Sequence, residues 1–168
     1  MPVSDQGTLT GRYTLIPRTL IFITCRDQVL LLKGAAHKRL WANRYNGIGG
    51  HVERGEDVLS SAVRELHEET GLNHIDLWLC GVVTIDTNQQ TGIGLYVLRG
   101  ESIEANPLTS ADGSLEWILK NQVMSLPLVE DLHILLPRIL SMQPGDPPFA
   151  AHYHYTEPGE IKITFGPS

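Results

Sequence analysis

The chain is short of positive charge. Its 13 Lys and Arg stand against 19 Asp and Glu, a formal net charge of −6, which argues against a basic surface for a nucleic-acid polymer, since such binding rests on clustered Lys and Arg. A small anionic ligand carried with a metal ion stays compatible with that balance. Cysteine is nearly missing: Cys25 and Cys80 are the only two. They make no metal-site spacing and no disulfide framework, so a reducing intracellular compartment is expected. No apolar run approaches the ~20 residues that span a bilayer. The opening stretch, MPVSDQGTLTGRY, lacks the apolar core of a signal peptide. A cytoplasmic protein with no membrane partner is therefore expected. Internal repeats, low-complexity tracts and linkers before residue 141 are also lacking.

What is there amounts to one domain, residues 1–168, with 42% hydrophobic and 19% charged residues, the composition of a soluble globular fold with one buried core. From Thr19, TLIFITCRDQVLLLKG predicts a β-hairpin about a polar RDQ turn. The following loop, AAHKRLWANRYNGIGG, is polar, basic and aromatic, and its glycines mark unusual backbone angles or close approach to a ligand. Residues 57–70 predict a helix, with Asp57 as its cap and Gly71 as its terminator. Leu59, Ala62, Val63 and Leu66 form its apolar stripe by spacing. IDLWLCGVVTID and GIGLYVLRG predict a second strand pair about a TNQQT turn. LEWIL predicts another strand after the polar loop ESIEANPLTSADGS. Residues from about 128 to 140 predict a second helix burying Leu132, Leu135, Leu136 and Ile139. The tail AAHYHYTEPGEIKITF predicts a hairpin about a Pro-Gly turn. Elements in this order suggest a mixed sheet packed between helices.

One stretch resists a structural explanation. RELHEE places Glu65, Glu68 and Glu69 at i, i+3 and i+4 of the first helix, where like charges repel. They also sit in its last turn, where the macrodipole disfavours negative charge. Hard carboxylate oxygens suit Mg²⁺, and the glycine-rich NGIGG just upstream can supply backbone groups to the same place. A cation among the three acids would offset both costs.

The stretch GHVERGEDVLSSAVRELHEETGL resembles the Nudix box, G-x5-E-x7-R-E-U-x-E-E-x-G-U with U aliphatic. Gly50, Glu56, Arg64, Glu65, Leu66, Glu68, Glu69, Gly71 and Leu72 fill every position. The resemblance implies an α/β fold, the Nudix α/β/α sandwich with a mixed β-sheet between helices. It also implies hydrolysis of a nucleoside diphosphate linked to a further group. It implies Mg²⁺, or Mn²⁺ in its place, held by Glu65, Glu68, Glu69 and a carbonyl of Gly49 or Gly50. Glu65 is the candidate base that takes the proton from water. Arg64 would hold a carboxylate through a forked hydrogen bond, with Glu56 its partner, and a purely structural role for that pair is the alternative. Glu116 falls where many members carry a later acidic ligand; a glutamate on a strand rim is the equal alternative.

The flanks bear on the substrate. HKRLWANRYNGIGGHVE and LVEDLHILLPRIL resemble segments of the oxidised purine nucleoside triphosphatase (MutT-like) subfamily. That resemblance gives Asn46 a purine contact and makes Glu130 and Asp131 acceptors for the purine edge, as ionised carboxylates are acceptor-only. Acids in the first turn of a helix also need no ligand to be favourable. Leu128 stands where the subfamily carries a stacking Trp. Trp41, in the polar loop, is the tryptophan placed to touch substrate. His152 and His154 share a strand face and suggest either a metal pair or a half-exposed strand. The expected substrate is a small nucleotide, most simply a purine triphosphate cut to monophosphate and pyrophosphate. ADP-ribose or a dinucleoside polyphosphate is the alternative, and a non-catalytic nucleotide-sensing domain is the alternative of another class. A homodimer stays open.

Overall fold

Apolar alternation on strands from both ends of the chain builds a single sheet in the computed structural model. It describes residue 7 and residues 11–37, 41–106, 113–156 and 159–167. Strand β1 (Thr14–Cys25) turns into β2 (Gln28–Gly34), antiparallel, through Arg26 at a left-handed φ of 53°. The short β3 (Tyr45–Asn46) and, later, β6 (Gly113–Leu119) both pair with β2. β4 (Leu77–Ile85) and β5 (Thr91–Glu101) form the second antiparallel pair, with a bulge between Leu79 and Gly81. The tail hairpin, β7 (Phe149–Tyr155) and β8 (Ile161–Phe165), joins by a parallel pairing of β7 with β4. The order is β3-β2-β1-β5-β4-β7-β8, with β6 on β2. It is a mixed sheet. Residues 38–40 of the basic loop, 107–112 of the polar loop and Pro158 of the tail turn lie outside the described residues.

One helix packs on each face. In α1 (Val58–Thr70), Asp57 Oδ1 accepts from the Leu59 and Ser60 amides at 2.9 Å each, and Gly71 ends the helix at φ 72°. Ala62 and Leu66 are buried against Ile21, Ile23, Leu30, Ile48 and Leu98. The seam is narrower than the spacing suggests: Leu59 and Val63 remain half-exposed, at 48% and 49%. The opposite face takes α2 (Leu132–Ser141), whose Leu132, Leu135, Leu136 and Ile139 are fully buried with Leu20, Phe22, Leu31 and Val97. Burial of each such side chain stabilises the fold by about 1.5–3 kcal/mol.

Two boundaries differ from the sequence expectation. β1 begins at Thr14 rather than Thr19, because Thr14–Thr24 pairs in parallel with β5 along its whole length. α2 begins at Leu132 rather than near 128, because the preceding backbone is strand-like. The Tyr45 amide donates to Pro127 O at 2.9 Å and the Val129 amide to Tyr45 O at 3.0 Å. At the far end of α2, Arg99 of β5 is 3% exposed and donates from Nη1 to the carbonyls of Ile139, Leu140 and Met142. It thereby satisfies acceptors that a helix terminus leaves open.

Candidate active site

The loop 48–52 lies along the start of β1 as a short ladder. Ile21 and Ile48 exchange both backbone bonds, the Thr19 amide donates to Gly50 O at 2.9 Å, and the Val52 amide donates to Pro17 O at 3.1 Å. Two glycines are needed there. Gly49 has φ +146°, and a Cβ on it would stand 2.8 Å from Thr19 C. A Cβ on Gly50 would stand 2.5 Å from Glu65 Cδ and 2.7 Å from Glu65 Oε2. The absence of a side chain at Gly50 is what lets the Glu65 carboxylate reach the loop backbone.

Arg64 organises the acids around that point. Its Nε and Nη2 donate to the two oxygens of Glu56 at 2.6 and 3.0 Å, a bidentate fork. Its Nη1 donates to Glu65 at 2.9 Å and to Glu68 at 3.1 Å, while Nη2 also reaches His51 O at 3.2 Å. The fork, with the Glu53 amide, holds the Glu56 carboxyl down at about 2. The Arg64 guanidinium is raised above its ordinary value, first by Glu56 and then by Glu65. Glu65 is 15% exposed and Glu68 56%; Glu69 is half-buried in the same last turns of α1. Among the described residues no three His, Cys, Asp or Glu side chains converge as a metal cluster; Glu65 and Glu68 are drawn onto Arg64 instead. The donor set nevertheless fits a hard divalent cation, with carboxylate oxygens one turn apart beside the space left by Gly50.

Beyond the glycines opens a cleft of about 320 Å³, within the range of small-molecule sites. It brings together Trp41, Asn46, Glu130, Asp131, Gly49 and Gly50, residues scattered over ninety positions of the sequence. Asn46 turns its Oδ1 to the Gly47 amide at 2.8 Å, leaving its amide nitrogen without a partner among the described residues. Asp131 precedes α2 without capping it, and burial is the main cause that pushes its carboxyl up. The Tyr153 hydroxyl faces that carboxylate but lies outside hydrogen-bond geometry. Burial, then the Asp131 charge, raises the phenol. Arg44 donates to Leu128 O at 3.2 Å and lies 4.0 Å from Glu130.

The remaining predicted residues sit elsewhere. Glu116 pairs in register with Leu31, on the face of the sheet away from α1. Its carboxylate accepts from Tyr45 at 2.8 Å and from Ser114 at 2.9 Å, so Glu116 is tied to the wall under β3 rather than to the acid turn. Burial, then Glu116, pushes the Tyr45 phenol up to about 12. His152 and His154 stack at 5.8 Å on the outer face of β7, beside Thr164 and Lys162 of β8. Leu128 is fully buried and offers no stacking face. Aromatic surface comes instead from Tyr153 and Tyr155, with Ile161 beside them. Sequence reasoning missed these three and Arg18, and only the Tyr alternation in HYHY hinted at them.

The NUDIX domain family model matches residues 14–139. The chain belongs to the Nudix family, as a hydrolase acting on pyrophosphate bonds. It is 25% identical over 144 residues to the oxidized purine nucleoside triphosphate hydrolase of Mus musculus, covering 85% of this chain and 88% of that one. It is 34% identical over 115 residues to the uncharacterized Nudix hydrolase YvcI of Bacillus subtilis, covering 65% and 70%. Among solved structures, the MutT protein of Bacillus halodurans superposes with a TM-score of 0.75 at 25% identity, over 92% of this chain and 99% of that one. The NUDIX domain of Shewanella oneidensis NrtR, complexed with ADP ribose, shares the fold at 14% identity with a TM-score of 0.62, over 74% and 86%. Nudix hydrolases generally use divalent metals.

Proposed function

We propose that the protein is a Mg²⁺-dependent pyrophosphohydrolase that cuts purine nucleoside triphosphates, oxidised purines included, to the monophosphate and pyrophosphate. One observation carries this reading: a single cleft has Asn46 and Asp131 in its wall and runs out onto Gly49 and Gly50, against which Glu65 is packed. A base held at the first place puts its phosphates beside the second.

The chain's residues divide the work. Asn46, Glu130 and Asp131 read the purine edge, while Trp41, Tyr153 and Tyr155 supply apolar and aromatic surface for its faces. Glu65, Glu68, Glu69 and a carbonyl of Gly49 or Gly50 would hold the cation, which would supply neutralisation of the phosphate oxygens and a more acidic water. Glu65 takes the proton from the attacking water. The water oxygen bonds to one phosphorus of the α–β anhydride, the bond from that phosphorus to the bridging oxygen breaks, and the bridging oxygen leaves with the other phosphorus, giving the monophosphate and pyrophosphate. Arg64, fixed by its fork to Glu56, orients Glu65 and Glu68 and prevents their mutual repulsion from opening the turn. Glu116 has no part in the ligand set.

ADP-ribose is the second reading, and the Shewanella neighbour supports it by fold alone. The complete box weighs against a domain without turnover. Comparing kcat/KM across dGTP, 8-oxo-dGTP, ADP-ribose and a dinucleoside polyphosphate, with Mg²⁺ and with excess chelator, tests the reading. Preference for the triphosphates, abolished by the chelator, is the expected result.

A further inference from the structure

The cleft contains a guanidinium that no group among the described residues satisfies. Arg18 lines it and is half-buried, and among the described residues it makes no ion pair and no side-chain hydrogen bond. Arg44, the other guanidinium there, is already engaged with Leu128 O and Glu130. Taking a charge partly out of water without a partner costs stability, and an anionic ligand would offset that cost.

Its place in the ladder says which part of a ligand it meets. On β1, Arg18 falls on the same side as Leu20 and Phe22, the side that faces the cleft, and it pairs with Leu95, another lining residue. Across the short ladder it stands opposite His51, while its neighbour Thr19 bonds to Gly50. Its backbone is therefore one residue step, ~3.3 Å of strand, from the residue bonded to Gly50, and its side chain stands on the cleft's side of the sheet. It shares the wall of the cleft with Gly49 and Gly50, the end at which phosphates would leave toward the acid turn.

We propose that Arg18 is a phosphate-binding residue, gripping non-bridging oxygens of the nucleotide's sugar-proximal phosphate. The proposal rests on the nucleotide reading of the cleft given above. A planar fork suits two phosphate oxygens at once, which an ammonium does not reproduce. The grip exists in substrate and in monophosphate product alike, so it contributes to the binding of both.

The test compares affinities of deoxyguanosine and dGMP, by calorimetry, in the wild type, Arg18→Gln and Arg18→Lys, with KM and kcat for dGTP and melting temperature alongside. Arg18→Gln is expected to weaken dGMP by about tenfold or more and to leave deoxyguanosine unchanged. KM for dGTP should rise while kcat stays within about threefold; Arg18→Lys should recover only part. Equal weakening of both ligands, or of neither, overturns the proposal, as does wild-type protein that binds dGMP no better than deoxyguanosine. A wild type that binds dGMP in this selective way but leaves dGTP intact would sink the reaction reading and leave the role of Arg18 standing.

Discussion

Gly50 and Glu65 compete for one volume: a Cβ at residue 50 would stand 2.5 Å from Glu65 Cδ and 2.7 Å from its Oε2. The glycine loop and the acidic helix are thus one site, and the bare backbone of one sets the position of the carboxylate of the other. Because the obstructed group is the end of a flexible side chain, Gly50→Ala should fold. Its cost falls on the position of Glu65, and a misplacement of about 1 Å is worth ~10²-fold in rate. Circular dichroism should give a near-native melt while kcat drops on that order. Full activity in this variant would separate Gly50 from the chemistry.

Glu65→Gln removes the proposed base and one charge from a crowded turn. Turnover should fall by ~10²- to 10⁴-fold, and melting should be unchanged or higher as repulsion from Glu68 and Glu69 is relieved. Arg64 keeps its fork to Glu56 in this variant. Activity that merely tracked the folded fraction would make the acidic turn structural.

The Glu56–Arg64 fork predicts an acid limb in stability. The Glu56 carboxyl is lowered from its ordinary 4.5 to about 2, so the folded state binds its proton less readily than the unfolded chain. Its contribution is present above about pH 4.5 and is lost as pH falls toward 2. Melting curves of Glu56→Gln across that window should fall less steeply than those of the wild type.

Asp131 has the opposite sign. Burial raises its carboxyl above the ordinary 3.8, so the folded state holds that proton longer and loses stability as pH rises through the interval between the two values. Asp131→Asn should therefore melt higher than the wild type at pH 7, with the advantage vanishing near pH 3. The same variant should lose purine discrimination, measured as kcat/KM for dGTP against a pyrimidine triphosphate. A lower melting temperature at pH 7 would mean that the carboxylate is held by partners that repay its burial.

The acid turn was legible in the sequence because everything it needs is local: Glu65, Glu68 and Glu69 within one turn, Asp57 and Gly71 at the ends, Gly50 just upstream. The cleft was legible only in halves. Asn46 and Asp131 stood out by resemblance, whereas Arg18, Tyr153 and Tyr155 reach it through strand pairings. The segment Thr14–Arg18 becomes strand by pairing with β5, more than seventy residues later, and β7 is seated by a parallel pairing with β4. Neither leaves a mark in local propensity. Glu116 misled for the same reason, since its side of the sheet is set by the register with Leu31. The start of α2 was displaced by a tertiary bond, Tyr45 to Pro127, which overrides the helical spacing of the residues before Leu132.

The central claim is tested most directly by the products formed from 8-oxo-dGTP with Mg²⁺, with ADP-ribose as the parallel substrate. Release of pyrophosphate and the monophosphate, with orthophosphate at background and ADP-ribose inert, is the predicted result. Cleavage of ADP-ribose with the triphosphate left intact would contradict it.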